Sequence, residues 1–148
     1  MKTKPFLIGF FIFIAVFASV SFYYVATVGR PARSISAIAS PDGKYKAVKL
    51  TMSHGGATPY CFDSVSVILA VYPDDFGERN KRYEVFAASC TKFASGEPSP
   101  KIEWLSPTEL RIAHAVKPAG STGSTSAKRV MNNIDVTNTV HVTFVARE

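Results

Sequence analysis

The sequence predicts an all-β domain, a small sandwich or partly open barrel of seven or eight antiparallel strands, preceded by one N-terminal transmembrane helix. Three observations carry this reading. Residues 6–28 form an uncharged, apolar run of 23 residues. From Ser34 onward no stretch shows the 3.6-residue apolar period of a helix, whereas period-two alternation recurs. Turn residues punctuate that alternation every eight to twelve positions, the spacing of sandwiches and small barrels.

The apolar run comes first. A helix rising about 1.5 Å per residue over this length reaches roughly 35 Å, more than a hydrocarbon core of about 30 Å. Lys2 and Lys4 ahead of it form a positive n-region. A cleavage site can be read at Val16-Phe17-Ala18, but the apolar run continues through Phe22, Tyr23, Tyr24 and Val28, with aromatics suited to the far interface. A retained signal anchor is therefore the expectation. It divides the chain into a cytoplasmic tail at 1–5, the anchor at 6–28, a linker at 29–33 (Gly-Arg-Pro-Ala-Arg) and an extracytoplasmic β-domain at 34–148.

Composition narrows the partners. Of 17 basic residues, 15 follow the anchor against 11 acidic ones, a net +4, and Arg30 and Arg33 sit at its edge. The remaining charge is small and scattered, unlike the clustered basic face that nucleic acid requires.

Ser34–Ala39 is a short candidate strand, followed by a Ser40-Pro41-Asp42-Gly43-Lys44 turn in which Pro pre-sets φ and Gly takes positive φ. Tyr45–Ser53 alternates, with Val48, Leu50 and Met52 on one face and Lys49 on the other. Ser53–Tyr60 is a Gly- and Pro-containing loop. Phe62–Tyr72 is the longest strand, apolar enough on both faces to lie centrally. Pro73–Asn80 reads as an exposed loop containing Asp74 and Asp75, and Lys81–Ser89 as a strand with Tyr83, Val85 and Ala87 inward. Cys90–Pro100 is irregular. Lys101–Leu105 and Glu109–Val116 form a hairpin anchored by Ile102, Trp104, Leu110 and Ile112. Lys117–Ala127 is a Gly/Ser/Thr-rich loop, and Val130–Val136 and Thr139–Ala146 close the domain.

The Ser-Pro-Asp-Gly-Lys-Tyr turn, the Gly-Gly-Ala-Thr loop, the Val-Ser-Val-Ile-Leu strand and Trp104 with Leu110 and Ile112 resemble a family of uncharacterised small membrane-anchored bacterial proteins. The resemblance spans roughly residues 36–112. It implies an anchored β-domain and carries no activity, cofactor or catalytic residue with it.

Cys61 and Cys90 are the only cysteines. Outside the cytosol two cysteines make one disulfide. Pairing Val65 with Ala87, Val67 with Val85 and Leu69 with Tyr83 matches apolar faces and sets Cys61 opposite Thr91. A one-residue bulge near the strand ends then brings it to Cys90.

The other candidates are weaker. His54, Gly55 and Gly56 form a His-Gly-Gly run of the kind that supplies oxyanion amides, but no Gly-x-Ser-x-Gly elbow accompanies it. His54, His114, His141 and Asp63 lack metal-ligand spacing, so neither metal nor cofactor is expected. Lys117, Lys128 and Arg129 flank the Gly/Ser-rich loop and could touch an anionic lipid or wall polymer. The expectation is a single-pass protein of the inner (plasma) membrane. Its β-domain is a non-catalytic binding or structural module for an envelope protein or polymer. The alternative is an anchored hydrolase or metal-binding enzyme centred on His54, recognisable if His54, Ser53 and Asp63 converge.

Overall fold

The computed structural model describes residues 12–23, 31–55, 60–116 and 129–147. Two units divide the chain, Met1–Pro31 and Ala32–Glu148. In the first, residues 12–23 form helix α1, about 18 Å long at 1.5 Å per residue. Among the described residues no helix is long and apolar enough to cross a membrane. The remainder of the 6–28 run lies outside the described residues.

The second unit is mostly β. Its strands are β1 (Ala32–Ala39), β2 (Tyr45–His54), β3 (Tyr60–Leu69), β4 (Glu84–Ser89), β5 (Thr91–Lys92), β6 (Pro98–Ser99), β7 (Lys101–Ser106), β8 (Glu109–Ala115), β9 (Val130–Met131) and β10 (His141–Arg147). Five of them form one sheet in the order β1-β2-β3-β4-β9, three a second in the order β10-β8-β7, and β5-β6 is a separate ribbon. The expected central strand is β3, at the middle of the first sheet. Residues 63–68 are all buried, which explains its two apolar faces.

The two larger sheets share one core. Ala47, Val65, Val67, Val85 and Phe86 from the first meet Leu110, Ile112 and Val142 from the second and Val140 just ahead of β10, with Ile102, Trp104 and Phe144 packed around them. The Trp104 indole N–H donates to the Ile38 carbonyl at 2.9 Å, tying β7 to β1. The opposite face of the first sheet is covered as well. Val48, Ile68 and Tyr83 cluster there with Tyr72 and Phe76, the latter on helix α2 (Phe76–Arg79). A Cβ on Gly77 would lie 2.5 Å from the Ser66 Cβ, so only glycine lets α2 approach β3 this closely.

Turn chemistry explains the junctions. Tyr45 N–H donates to Ser40 Oγ at 3.0 Å, Ser40 Oγ–H donates to Asp42 Oδ1 at 2.8 Å, and Gly43 takes φ 71°. Ahead of β10, the Asp135 carboxylate accepts hydrogen bonds from the amides of Thr137, Thr139 and Val140 and from the Thr137 hydroxyl, at 2.6–3.0 Å. Burial alone would raise its pKa. The four donors outweigh that effect, and the carboxyl lies below the ordinary aspartate value.

Several expectations need correction. The 29–33 linker is too long, because Ala32 and Arg33 already pair with Ser53 and Met52 in β1. The sheets are not wholly antiparallel: β10 runs parallel to β8, His141 facing Glu109 and Arg147 facing Ala115. Between them the chain crosses to the first sheet, lays β9 beside β4, and returns, the long crossover that a parallel pair needs. The predicted strand at 130–136 shortens to Val130–Met131 because the Asp135 turn intervenes. β3 ends at Leu69, leaving Val71 in solvent. Lys81–Tyr83 is a 3-10 turn that sends Tyr83 to the α2 side of the sheet.

The β3/β4 register also differs, by one residue at the cysteine end and by two beyond the bulge. Phe62 faces Ser89 and Val65 faces Phe86, and then the register shifts so that Ser66 faces Glu84. The bulge therefore sits at Val85, mid-strand, rather than beside the cysteines.

A polar pocket at the disulfide end of the sandwich

Alternation along β2 and β3 decides which side chains reach the space between the sheets. Ala47, Val65 and Val67 belong to the core, so Lys49 and Thr51 on β2 and Cys61 and Asp63 on β3 continue the same inward face. At this end the apolar core gives way to a polar one. Asp63 is 3 % exposed. Its Oδ1 accepts the Thr51 hydroxyl at 2.5 Å and faces the Lys49 ammonium at 3.8 Å. Lys49 Nζ also donates to the carbonyls of Ser99 and Pro100, at 3.4 and 3.3 Å.

The Cys61–Cys90 disulfide closes this end, with Cα atoms 5.2 Å apart and the Cys90 amide donating to the Cys61 carbonyl at 3.1 Å. Directly after it, β5 and β6 fold back as a short ribbon, Thr91 facing Ser99. Ser99 is the joint between the layers: its carbonyl takes Lys49 from β2, and its hydroxyl takes the Ala115 amide from β8 at 2.9 Å. These groups surround an open pocket of about 350 Å³, walled by Lys49, Thr51, Asp63, the disulfide and Lys92.

A carboxylate and an ammonium this deep are costly to desolvate, and each is retained only because the other and the surrounding donors and acceptors compensate it. The Lys49 contacts lie at or beyond the long end of hydrogen-bonding distance. Among the described residues only Oδ1 of Asp63 is engaged, and Oδ2 has no hydrogen-bonding partner. Lys92 on the rim is exposed and in no ion pair among the described residues. The pocket therefore combines one buried acceptor, two cations and an apolar sulfur wall.

The sequence-predicted residues are placed differently. Cys61 and Cys90 come together as a disulfide. His54 does not join Asp63: it lies on the alternate face of β2, its ring 5.6 Å from that of Tyr60. Gly55 is described and Gly56 lies outside the described residues, as do Lys117 and Lys128; Arg129 is exposed before β9. His114 is buried and stacks 5.9 Å from Phe86, with no hydrogen bond to Nδ1 among the described residues. Asp74 and Asp75 pair with Lys46 and Arg79. No group of three or more His, Cys, Asp or Glu that could hold a metal occurs among the described residues.

Sequence reading missed Lys49 and Thr51. Lys49 fell on the polar face of an alternating strand, which is ordinarily the solvent face. The signal available was that Asp63 shares its strand face with Val65 and Val67, an acid aligned with a core.

No family model matches the chain, and neither a curated protein nor a solved structure shows significant similarity to it.

Proposed function

We propose that the chain is a single-pass envelope protein of the inner membrane, held by its N-terminal segment, whose extracytoplasmic β-domain is a non-catalytic binding module. The disulfide carries this reading. A bonded pair persists in oxidising compartments and is rare in the cytosol. Support comes also from α1, whose large side chains, Ile12, Phe13, Val16, Phe17 and Phe22 among them, are exposed on every side. A helix apolar all round is stable where lipid or protein covers it. The Ser19 hydroxyl donates to the Ala15 carbonyl at 2.7 Å, as suits an apolar medium.

On the module side, the pocket beside the disulfide offers recognition groups, two lysines and a buried carboxylate held by Thr51. A thiol-reactive, membrane-impermeant label on intact cells tests the topology. Labelling of Cys61 and Cys90 only after external reduction supports the reading. Labelling without reduction, and only after lysis, overturns it.

A further inference from the structure

We infer that the pocket between Lys49, Asp63 and the disulfide binds a small carboxylate that carries a hydrogen-bond donor beside the carboxyl group, an α-amino or α-hydroxy acid. The inference rests on the binding-module reading and specifies its ligand. Three features on the page select this chemistry.

The first is charge. Lys49 and Lys92 beside Asp63 set two cations next to one anion in the pocket, a pattern that matches a carboxylate with a donor next to it and disfavours a simple cation. The second is unmet hydrogen-bonding capacity. Lys49 holds two neutral carbonyls at 3.4 and 3.3 Å and a carboxylate at 3.8 Å. A ligand carboxylate could take a charge-assisted bond at about 2.8 Å in their place. Asp63 is fixed through Oδ1 by Thr51, while its Oδ2 is unpartnered among the described residues. That oxygen accepts only, so it selects an N–H or O–H of the ligand.

The third feature is the wall. The Cys61–Cys90 bridge and Pro98 are apolar, and they suit a short aliphatic side chain in a space of about 350 Å³, near the lower end of ligand-pocket sizes. Lys92 closes the arrangement from the rim. Carboxylate on the two ammoniums, donor on Asp63 Oδ2 and a small alkyl group on the disulfide then engage Lys49, Lys92 and Asp63 together.

The test is a chemical-shift titration of the full chain in detergent micelles with alanine, lactate, propionate and ethylammonium. Alanine and lactate are expected to perturb the amides of Thr51, Asp63, Thr91 and Ser99 at least tenfold more tightly than propionate, which lacks the donor. Lys92→Ala removes an exposed side chain without touching the core and is expected to weaken alanine and lactate severalfold. Lys49→Met is expected to abolish both, with the thermal melt of each variant recorded to separate lost binding from lost fold. Ethylammonium binding as well as alanine, propionate matching lactate, no response to any probe, or an unchanged affinity in Lys92→Ala would each overturn the assignment. Such a failure leaves the membrane topology untouched, since labelling of intact cells decides that separately.

Discussion

Replacing both cysteines by alanine tests how much of the fold is held through the unfolded chain. The bridge joins positions 29 residues apart. In the chain-entropy relation, closing a loop of that length removes about 12 cal/mol/K from the denatured ensemble, or about 3.6 kcal/mol at 25 °C. Native strain should subtract little, because the β3/β4 register that sets Phe62 opposite Ser89 brings Cys61 opposite Cys90 without distortion. At about 2.1 cal/mol/K per residue, the unit Ala32–Glu148 unfolds with an entropy near 0.25 kcal/mol/K. The expected loss in Tm is therefore about 15 °C, read by calorimetry on the full chain in detergent. The same shift is expected when the native chain is reduced. A shift below about 3 °C in both experiments would refute the reasoning, since the loop would then be constrained by something other than the bridge.

Gly77→Ala forces a Cβ to within 2.5 Å of the Ser66 Cβ, and denaturant melts should show a loss of about 1–3 kcal/mol. Trp104→Phe keeps an aromatic side chain but removes the donor to the Ile38 carbonyl and part of the indole's packing on the core, for an expected loss of about 1–3 kcal/mol by the same assay. His114→Leu replaces an imidazole whose buried Nδ1 lacks a partner among the described residues, so the midpoint of denaturation should stay level or rise. Asp135 sets an acid limit: its folded pKa lies below the ordinary value, so its contribution is present above the unfolded pKa of about 3.9 and is lost as pH falls through the depressed folded value. Asp135→Asn should therefore flatten the stability profile below about pH 4 and leave its shape at neutral pH unchanged.

Much of the architecture could be read before any coordinates. Ile102 and Trp104 pack against the core as the hairpin reading placed them, and Leu110 and Ile112 are fully buried there. Local pattern is sufficient there because each strand meets the core with one face. It failed where a second layer covers the other face. Val48 and Ile68 are as apolar as Ala47 and Val67, but they pack under α2 rather than between the sheets. Lys49 consequently looked solvent-directed when it was core-directed. The parallel pairing of β10 was beyond local reading for another reason: strand direction depends on where the chain travels between β8 and β10, and side-chain periodicity carries no sign of direction.

The bulge at Val85 links the core to the pocket. Without it, the register in which Ser66 faces Glu84 would continue, placing Ser89 rather than Cys90 opposite Cys61. The extra residue advances β4 by one, which brings the sulfurs together and turns two consecutive side chains, Val85 and Phe86, into the same core cluster. A bulge leaves backbone groups unpaired, and here Asn132 supplies the missing partners. Its amide donates to the Val85 carbonyl at 2.8 Å and its side chain to the Glu84 carbonyl at 3.0 Å. The two-residue strand β9, too short to add much as a sheet element, therefore positions the group that stabilises the bulge. Through that one extra residue, Asn132 supports the register on which the disulfide, and the pocket wall it forms, depend.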